Sequence, residues 1–214
     1  MAVLATDPAL SFLSTVAGVT PQTVSEAIDF VKEPVWNGIK PTVVVRPEHT
    51  EAVDTTLRRA GFLRTSDRVL AIKELAHAST EDSTVVDARD ADVFLDVLLA
   101  GYEVDGVLAA FIRAEHRLPA VRGFLVLERG ERMAAGAMSL HGDVAVLGGA
   151  ATLRVHRGKG AQTRLLRHRL RIAADAGCAL AVATARGDSV SAANLRRAGF
   201  RLYLRTSWVA DPAT

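Results

Sequence analysis

The sequence predicts an α/β fold, a mixed sheet with helices on both faces, preceded by a partial copy of its own second half. Three observations predict it. Short β-branched or alternating runs take turns with stretches of helical apolar spacing. The stretch Leu57-Arg58-Arg59-Ala60-Gly61-Phe62 recurs unchanged as Leu195-Arg196-Arg197-Ala198-Gly199-Phe200. A basic, glycine-rich turn, Arg157-Gly158-Lys159-Gly160, stands between a strand pattern and an amphipathic helical one.

The first copy reads strand, helix, strand, helix, strand. Its leading helical pattern covers 23–33 and is entered through Thr20-Pro21, a good N-cap followed by proline at the first helical position. The β-branched run Thr42-Val43-Val44-Val45 is a strand, and 64–72 alternates as another. The small, polar stretch 76–83 is the candidate linker. After it come a short strand and two helices, 90–102 and 107–115, the second ended by Pro119. Residues 123–128 and 133–140 form a hairpin turning at Arg129-Gly130-Glu131. Strand 144–153 is interrupted by Gly148-Gly149, which marks a bulge or a close backbone approach.

From that strand on, the second copy repeats the order of the first: helix 161–176, strand 179–184, a helix carrying the repeated stretch, and strand 201–209. Shared flanks make duplication a better account than chance. The organisation is therefore 1–78, a structural half-domain, and 79–214, the domain bearing the site. The first copy enters its helix without a basic residue; only the second carries the turn suited to a ligand.

Composition narrows the function. The formal charge is only +2, which argues against a nucleic-acid binder, yet the segment from Arg154 to Arg171 holds many cations and no acidic residue. A local basic block in a balanced chain suits a small anion. The single Cys178 excludes an intrachain disulfide and a multi-cysteine metal site, and its apolar neighbours mark it as a small buried hydrophobe. No signal peptide, no membrane-length apolar run, no metal-ligand spacing among the six histidines and no nucleophile elbow is visible. The expected location is the cytoplasm, with no membrane, nucleic-acid or metal partner, as a monomer or homodimer.

A diphosphate requires converging backbone N–H groups and a positive field, and a glycine-rich turn opening a helix supplies both. Here Arg157, Gly160 and Gln162 follow a strand and open an amphipathic helix running through Leu165, Leu166, Leu170 and Ala173 to Gly177. This pattern, with the downstream pair Gly199-Phe200, resembles the GNAT superfamily of N-acetyltransferases over about 83–209, in a tandem-type arrangement. It departs from the superfamily at Gln162, where glycine or alanine is usual.

The resemblance implies a mostly antiparallel sheet splayed into a V, with acetyl-CoA as co-substrate and an amine as acceptor. Arg157, Gly158, Lys159, Gly160, Ala161, Gln162 and Thr163 would hold the pyrophosphate. Backbone groups near Ala150, Ala151 and Thr152 would hold the pantetheine arm and polarise the acetyl carbonyl. Of the helix arginines 164, 167, 169 and 171, most form a solvated face and one would reach the 3′-phosphate. The tyrosine that the superfamily often places before Gly199 is Leu195 here. The candidate catalytic residues are Asn194, which would bond the ligand, Tyr203, the nearest available phenol for protonating the thiolate, and Glu103, which with Tyr102 would lie on the acceptor side; no carboxylate lies on strand 144–153, so the base is unassigned. Each has a plainer alternative: helix surface for Asn194, core for Tyr203, a solvated helix end for Glu103. His141 and His156 read as surface groups. Two other functions compete: a non-catalytic acyl-CoA-binding regulatory module, and a P-loop-like nucleotide site, which the spacing around Lys159 disfavours.

Overall fold

The computed structural model describes residues 1–75 and 82–211. Most of the expected linker, 76–81, lies outside them. The fold is α/β, as the alternation of patterns implies, and its contacts divide the chain into two units.

The first unit comprises Met1–Leu70, Ala185–Ser189 and the chain from Tyr203 onward. Its elements are β1 (Ala2–Val3), β2 (Thr15–Val19), α1 (Val24–Val31), β3 (Thr42–Val45), α2 (Thr50–Arg59) and the start of β4 (Phe62–Glu74). Strands β2 and β3 run parallel, and β1 is antiparallel to β2. The apolar stripes of α1 and α2 close over this sheet, burying Ile28, Val43, Val45, Val53, Leu57 and Trp208 in one cluster. The Arg58 guanidinium stands 5.3 Å from the ring of the wholly buried Trp208.

One local expectation fails here. Helix α1 begins after Thr23, and Thr20 is not its cap. The Thr20 N–H instead donates to Thr23 Oγ1 at 3.0 Å. Residues 20–23 make a separate turn, because a hydroxyl three residues on satisfies the amide without helix.

The second unit comprises Ala71–Thr184 and Val190–Leu202. It contains β5 (Val85–Asp87), α3 (Ala91–Tyr102), α4 (Gly106–His116), β6 (Val121–Glu128), β7 (Glu131–His141), β8 (Val144–Thr152), α5 (Ala161–Asp175), most of β9 (Leu180–Arg186), α6 (Val190–Arg197) and the start of β10 (Arg201–Ala210). Its strands lie in the order β9-β8-β7-β6-β5, antiparallel except for the parallel pair β8–β9. The β6–β7 hairpin turns through Arg129 and Gly130, both at positive φ, as a tight hairpin turn demands.

Helices cover both faces. Leu125, Ala135 and Ala137 face α3, burying Phe94, Leu95 and Leu98. On the opposite face Phe124 meets His168 of α5 at 5.3 Å, and Gly136 lies under Arg169 of the same helix. No helix among the described residues is long and apolar enough to cross a membrane.

The two copies of the repeat share element order: β2-α1-β3-α2-β4 and β8-α5-β9-α6-β10. The repeated glycines close α2 and α6 identically, Gly61 at φ 80° and Gly199 at φ 85°. The last strand of each copy straddles the two units. From Tyr203 on, β10 belongs to the first unit, where Trp208 pairs with Val43, and the end of β4 belongs to the second. The sequence division at 78/79 thus runs along the chain, whereas the spatial units each draw on both sides of it.

Candidate functional site

Two irregularities in β8 create the site. On one side its ladder with β9 ends at Leu147↔Ala183, although β8 continues to Thr152. This is the splay that the resemblance implies. On the other side the register with β7 jumps from Ala137↔Gly148 to Ala135↔Ala151, a bulge at Gly149 and Ala150. Gly149 takes φ 48°, and a Cβ there would lie 2.0 Å from His116 Nε2, so only glycine fits. The bulge turns the Ala150 N–H out of the ladder, and it donates to the Tyr102 hydroxyl at 2.9 Å.

A cleft of about 670 Å³ opens beside this end of β8. Gly101 and Tyr102 close α3 against it, and Ala150, Ala151 and Thr152 form the strand wall. His156, Arg157, Gly158, Gly160, Ala161, Gln162 and Thr163 supply the turn and the first turn of α5, while Asn194 and Arg197 come from α6. The expected turn and strand residues are therefore brought together, apart from Lys159, which is exposed and not on the lining.

Gly158 and Gly160 hold φ of 80° and 77°, and a Cβ on either would meet nothing within 4 Å. Glycine is needed there for backbone conformation, not for space. Gly160 is the N-cap of α5 and offers no side-chain acceptor, and the first turn carries no acidic residue. The amides of Ala161, Gln162 and Thr163 consequently have no intrahelical partner and point a positive helix end at the cleft. The Gln162 side chain turns sideways, its Nε2 donating to Thr152 Oγ1 at 2.9 Å, so the departure from the family pattern ties the helix start to β8.

Arg157 is engaged by the protein. It donates to the Gly101 carbonyl at 3.2 Å and to Glu103 Oε1 at 2.9 Å, both at the end of α3. Glu103 caps α3 in the left-handed region, with φ 59°. The expected catalytic carboxylate and the expected phosphate ligand are thus an ion pair, each about half exposed and worth at most about 1 kcal/mol. Asn194 Oδ1 accepts from Arg197 on α6. Leu195 is buried in the core at 4 % exposure, with the helix turned so that Asn194 faces the cleft. Tyr203 belongs to the first unit and is 38 % exposed, so the plainer expectation of a core side chain is not met.

The reading of the α5 arginines as a solvated face fails at Arg169. It is 2 % exposed, because Gly136 leaves room beneath it. Its guanidinium donates to the carbonyls of Leu165, Ala137 and Gly148 at 3.2, 2.9 and 3.2 Å. Burial pulls its pKa down to about 10, against the opposing influence of Tyr102, so it stays charged at neutral pH. Tyr102 moves the other way: burial pushes its phenol above the usual value, Glu115 adds to this, and the Ala150 amide and Arg169 oppose it. His156, read from the sequence as a surface group, instead lines the cleft with its side chain mostly covered, 3.8 Å from Glu131. Cys178 is buried, as its neighbours implied.

A second groove of about 490 Å³ adjoins the cleft, sharing Thr163, Asn194 and Arg197. Lys73, Arg167 and Arg171 surround its apolar floor of Leu166 and Leu170. No group of three or more metal-ligating side chains occurs among the described residues.

The model of the acetyltransferase (GNAT) family matches residues 78–200. Solved structures of similar fold include a GCN5-related N-acetyltransferase from Kribbella flavida. It is 20 % identical, with 94 % of this chain and 82 % of that one covered, at a TM-score of 0.67. A GNAT-family acetyltransferase from Colwellia psychrerythraea is 15 % identical, covering 88 % and 71 %, at 0.62. A tandem GNAT protein from the clavulanic acid biosynthesis pathway is 16 % identical, covering 80 % and 63 %, at 0.56. No curated protein matches the sequence.

Proposed function

Because the chain belongs to the GNAT family of acetyltransferases, we propose that it transfers acetyl from acetyl-CoA to a primary amine, on a small molecule or a protein lysine. The observation that carries this reading is the splayed, bulged end of β8 facing the open amides of α5 across one cleft. The residues fit the co-substrate. The α5 amides and the turn around Gly158 and Gly160 suit a pyrophosphate, and the adjoining groove of Lys73, Arg167, Arg171 and Arg197 suits the 3′-phosphate.

The acyl carbonyl then lies at the bulge, where the Ala150 N–H serves as its donor. A neutral amine in the gap attacks the carbonyl carbon, a tetrahedral intermediate forms, and its collapse yields an amide and coenzyme A. Positioning and oxyanion stabilisation are the protein's main contributions. Asn194, on the cleft lining, would bond the ligand, and Glu103, held by Arg157, would stand at the acceptor side. The half-domain 1–78 we read as a degenerate GNAT-like copy, since it keeps the element order but lacks the basic turn.

Thermal unfolding with and without acetyl-CoA tests the assignment. The ligand raises the midpoint of the wild type by mass action and leaves Gly160→Glu unmoved. Thiol release over a panel of amines separates the enzyme from a regulatory module that binds acyl-CoA without turnover. Binding without thiol release favours the module.

A further inference from the structure

Arg169 is a buried cation with no carboxylate pairing it among the described residues. Such burial is costly unless the charge is used. Its Nε and Nη1 donate to backbone carbonyls, and two of these, Ala137 and Gly148, form the register pair immediately before the β8 bulge. The sheet is shaped to admit it: a Cβ at Gly136 would press on its Cζ at 3.2 Å. The same bulge frees the Ala150 N–H, and the oxygen now bonded to that amide is the Tyr102 hydroxyl. Arg169 and Tyr102 are electrostatically coupled, the cation favouring negative charge on that oxygen. Any oxygen that replaces the phenol on the Ala150 amide enters the same field, which the burial of the guanidinium shields in part from solvent screening.

We propose that Arg169 is a positioning residue for acyl transfer: it fixes the bulge that presents the Ala150 N–H, and from behind the sheet it stabilises the negative charge developing on an acyl oxygen bonded to that amide. The inference rests on the functional reading above. In the step concerned, the amine nitrogen forms its bond to the carbonyl carbon and the carbonyl π pair moves onto oxygen. Collapse then breaks the carbon–sulfur bond, the amine's proton leaves to solvent, and the thiolate takes up a proton.

The test compares wild type, Arg169→Met and Arg169→Lys, using acetyl-CoA labelled at the acetyl carbonyl. In the wild type the infrared carbonyl stretch of the bound thioester falls below that of the free one. In Arg169→Met it returns toward the free value, and kcat drops about 10- to 100-fold while KM changes little. Arg169→Lys, which keeps the charge, is intermediate in both. An unchanged stretch and kcat in a folded Arg169→Met variant overturns the inference. Should that variant not fold, Gly136→Ala, which displaces the guanidinium, is read in the same way.

A ligand-free measurement keeps this separate from the functional reading. The chain has only two tyrosines, so in a Tyr203→Phe background the phenol titration reports Tyr102 alone. Loss of the Arg169 charge moves that titration upward, and no movement overturns the field whatever the ligand proves to be. Failure of the wild type to bind acetyl-CoA, with the titration shifted as expected, overturns the functional reading and leaves the field standing.

Discussion

The Tyr102 hydroxyl accepts the Ala150 amide proton at 2.9 Å, joining the end of α3 to the bulge of β8. The protein thereby occupies its own free donor, and a ligand carbonyl that takes the amide has to displace the phenol. Tyr102→Phe is expected to lose about 0.5–1.5 kcal/mol of stability, the net worth of one hydrogen bond. Calorimetry should show a lower unfolding midpoint together with tighter acetyl-CoA binding, since no partner is displaced. Weaker binding would mean that the phenol itself grips the ligand.

Gly158 and Gly160 face open space at positive φ, so their substitution tests conformation apart from crowding. Alanine at either position should cost about 1–2 kcal/mol from left-handed strain alone. Isothermal titration should also show weaker acetyl-CoA binding, because the first-turn amides of α5 are re-aimed.

Much of this was legible beforehand. The spacing of Leu165, Leu166 and Ala173 located α5 and its buried stripe, and Gly148-Gly149 marked the bulge. What pattern reading missed depended on through-space partners. Arg169 looks in sequence like the exposed Arg167 until Gly136, on another element, is seen to make room for it. The sequence reads Arg157 as a phosphate ligand but does not reveal that the left-handed end of α3 brings Glu103 and the Gly101 carbonyl within its reach. Tyr203 was judged by its nearness in sequence to Gly199, and the last strand, straddling the two units, carries it into the other one.

Gly199→Ala and Gly61→Ala form a matched pair at equivalent helix ends. Each should cost about 1–2 kcal/mol for φ near 80°. A Cβ at Gly199 would also lie 2.7 Å from Lys73 Nζ, displacing it from the Ala198 carbonyl that it bonds at 3.0 Å. Denaturant unfolding of Gly199→Ala should therefore show a loss beyond the backbone strain alone.

The groove lined by Lys73, Arg167 and Arg197 is expected to distinguish coenzyme A from its form lacking the 3′-phosphate. Arg167→Glu should weaken binding of the full coenzyme by about tenfold, the scale of one lost charge-assisted contact, and hardly change binding of the dephosphorylated one. Equal losses for both would place the phosphate elsewhere.

Asp82 accepts from both the Thr84 N–H and the Thr84 hydroxyl. The hydroxyl bond is the main cause holding its carboxyl below the usual value, and the charges of Arg164 and His168 help. A depressed carboxylate contributes stability above its unfolded pKa, near 3.9, and that contribution is lost as pH falls through the lower folded value. Asp82→Asn should therefore unfold at a lower temperature than wild type at pH 7. The gap should close as both are acidified below about pH 3.

Because the second copy ends in a strand that the first unit houses from Tyr203 onward, the first half cannot be discarded without stranding the end of the second. A chain cut back to residues 79–214 would hold Trp208 and Thr206 with no Val43 and Val45 to pair them, an orphan edge inviting aggregation.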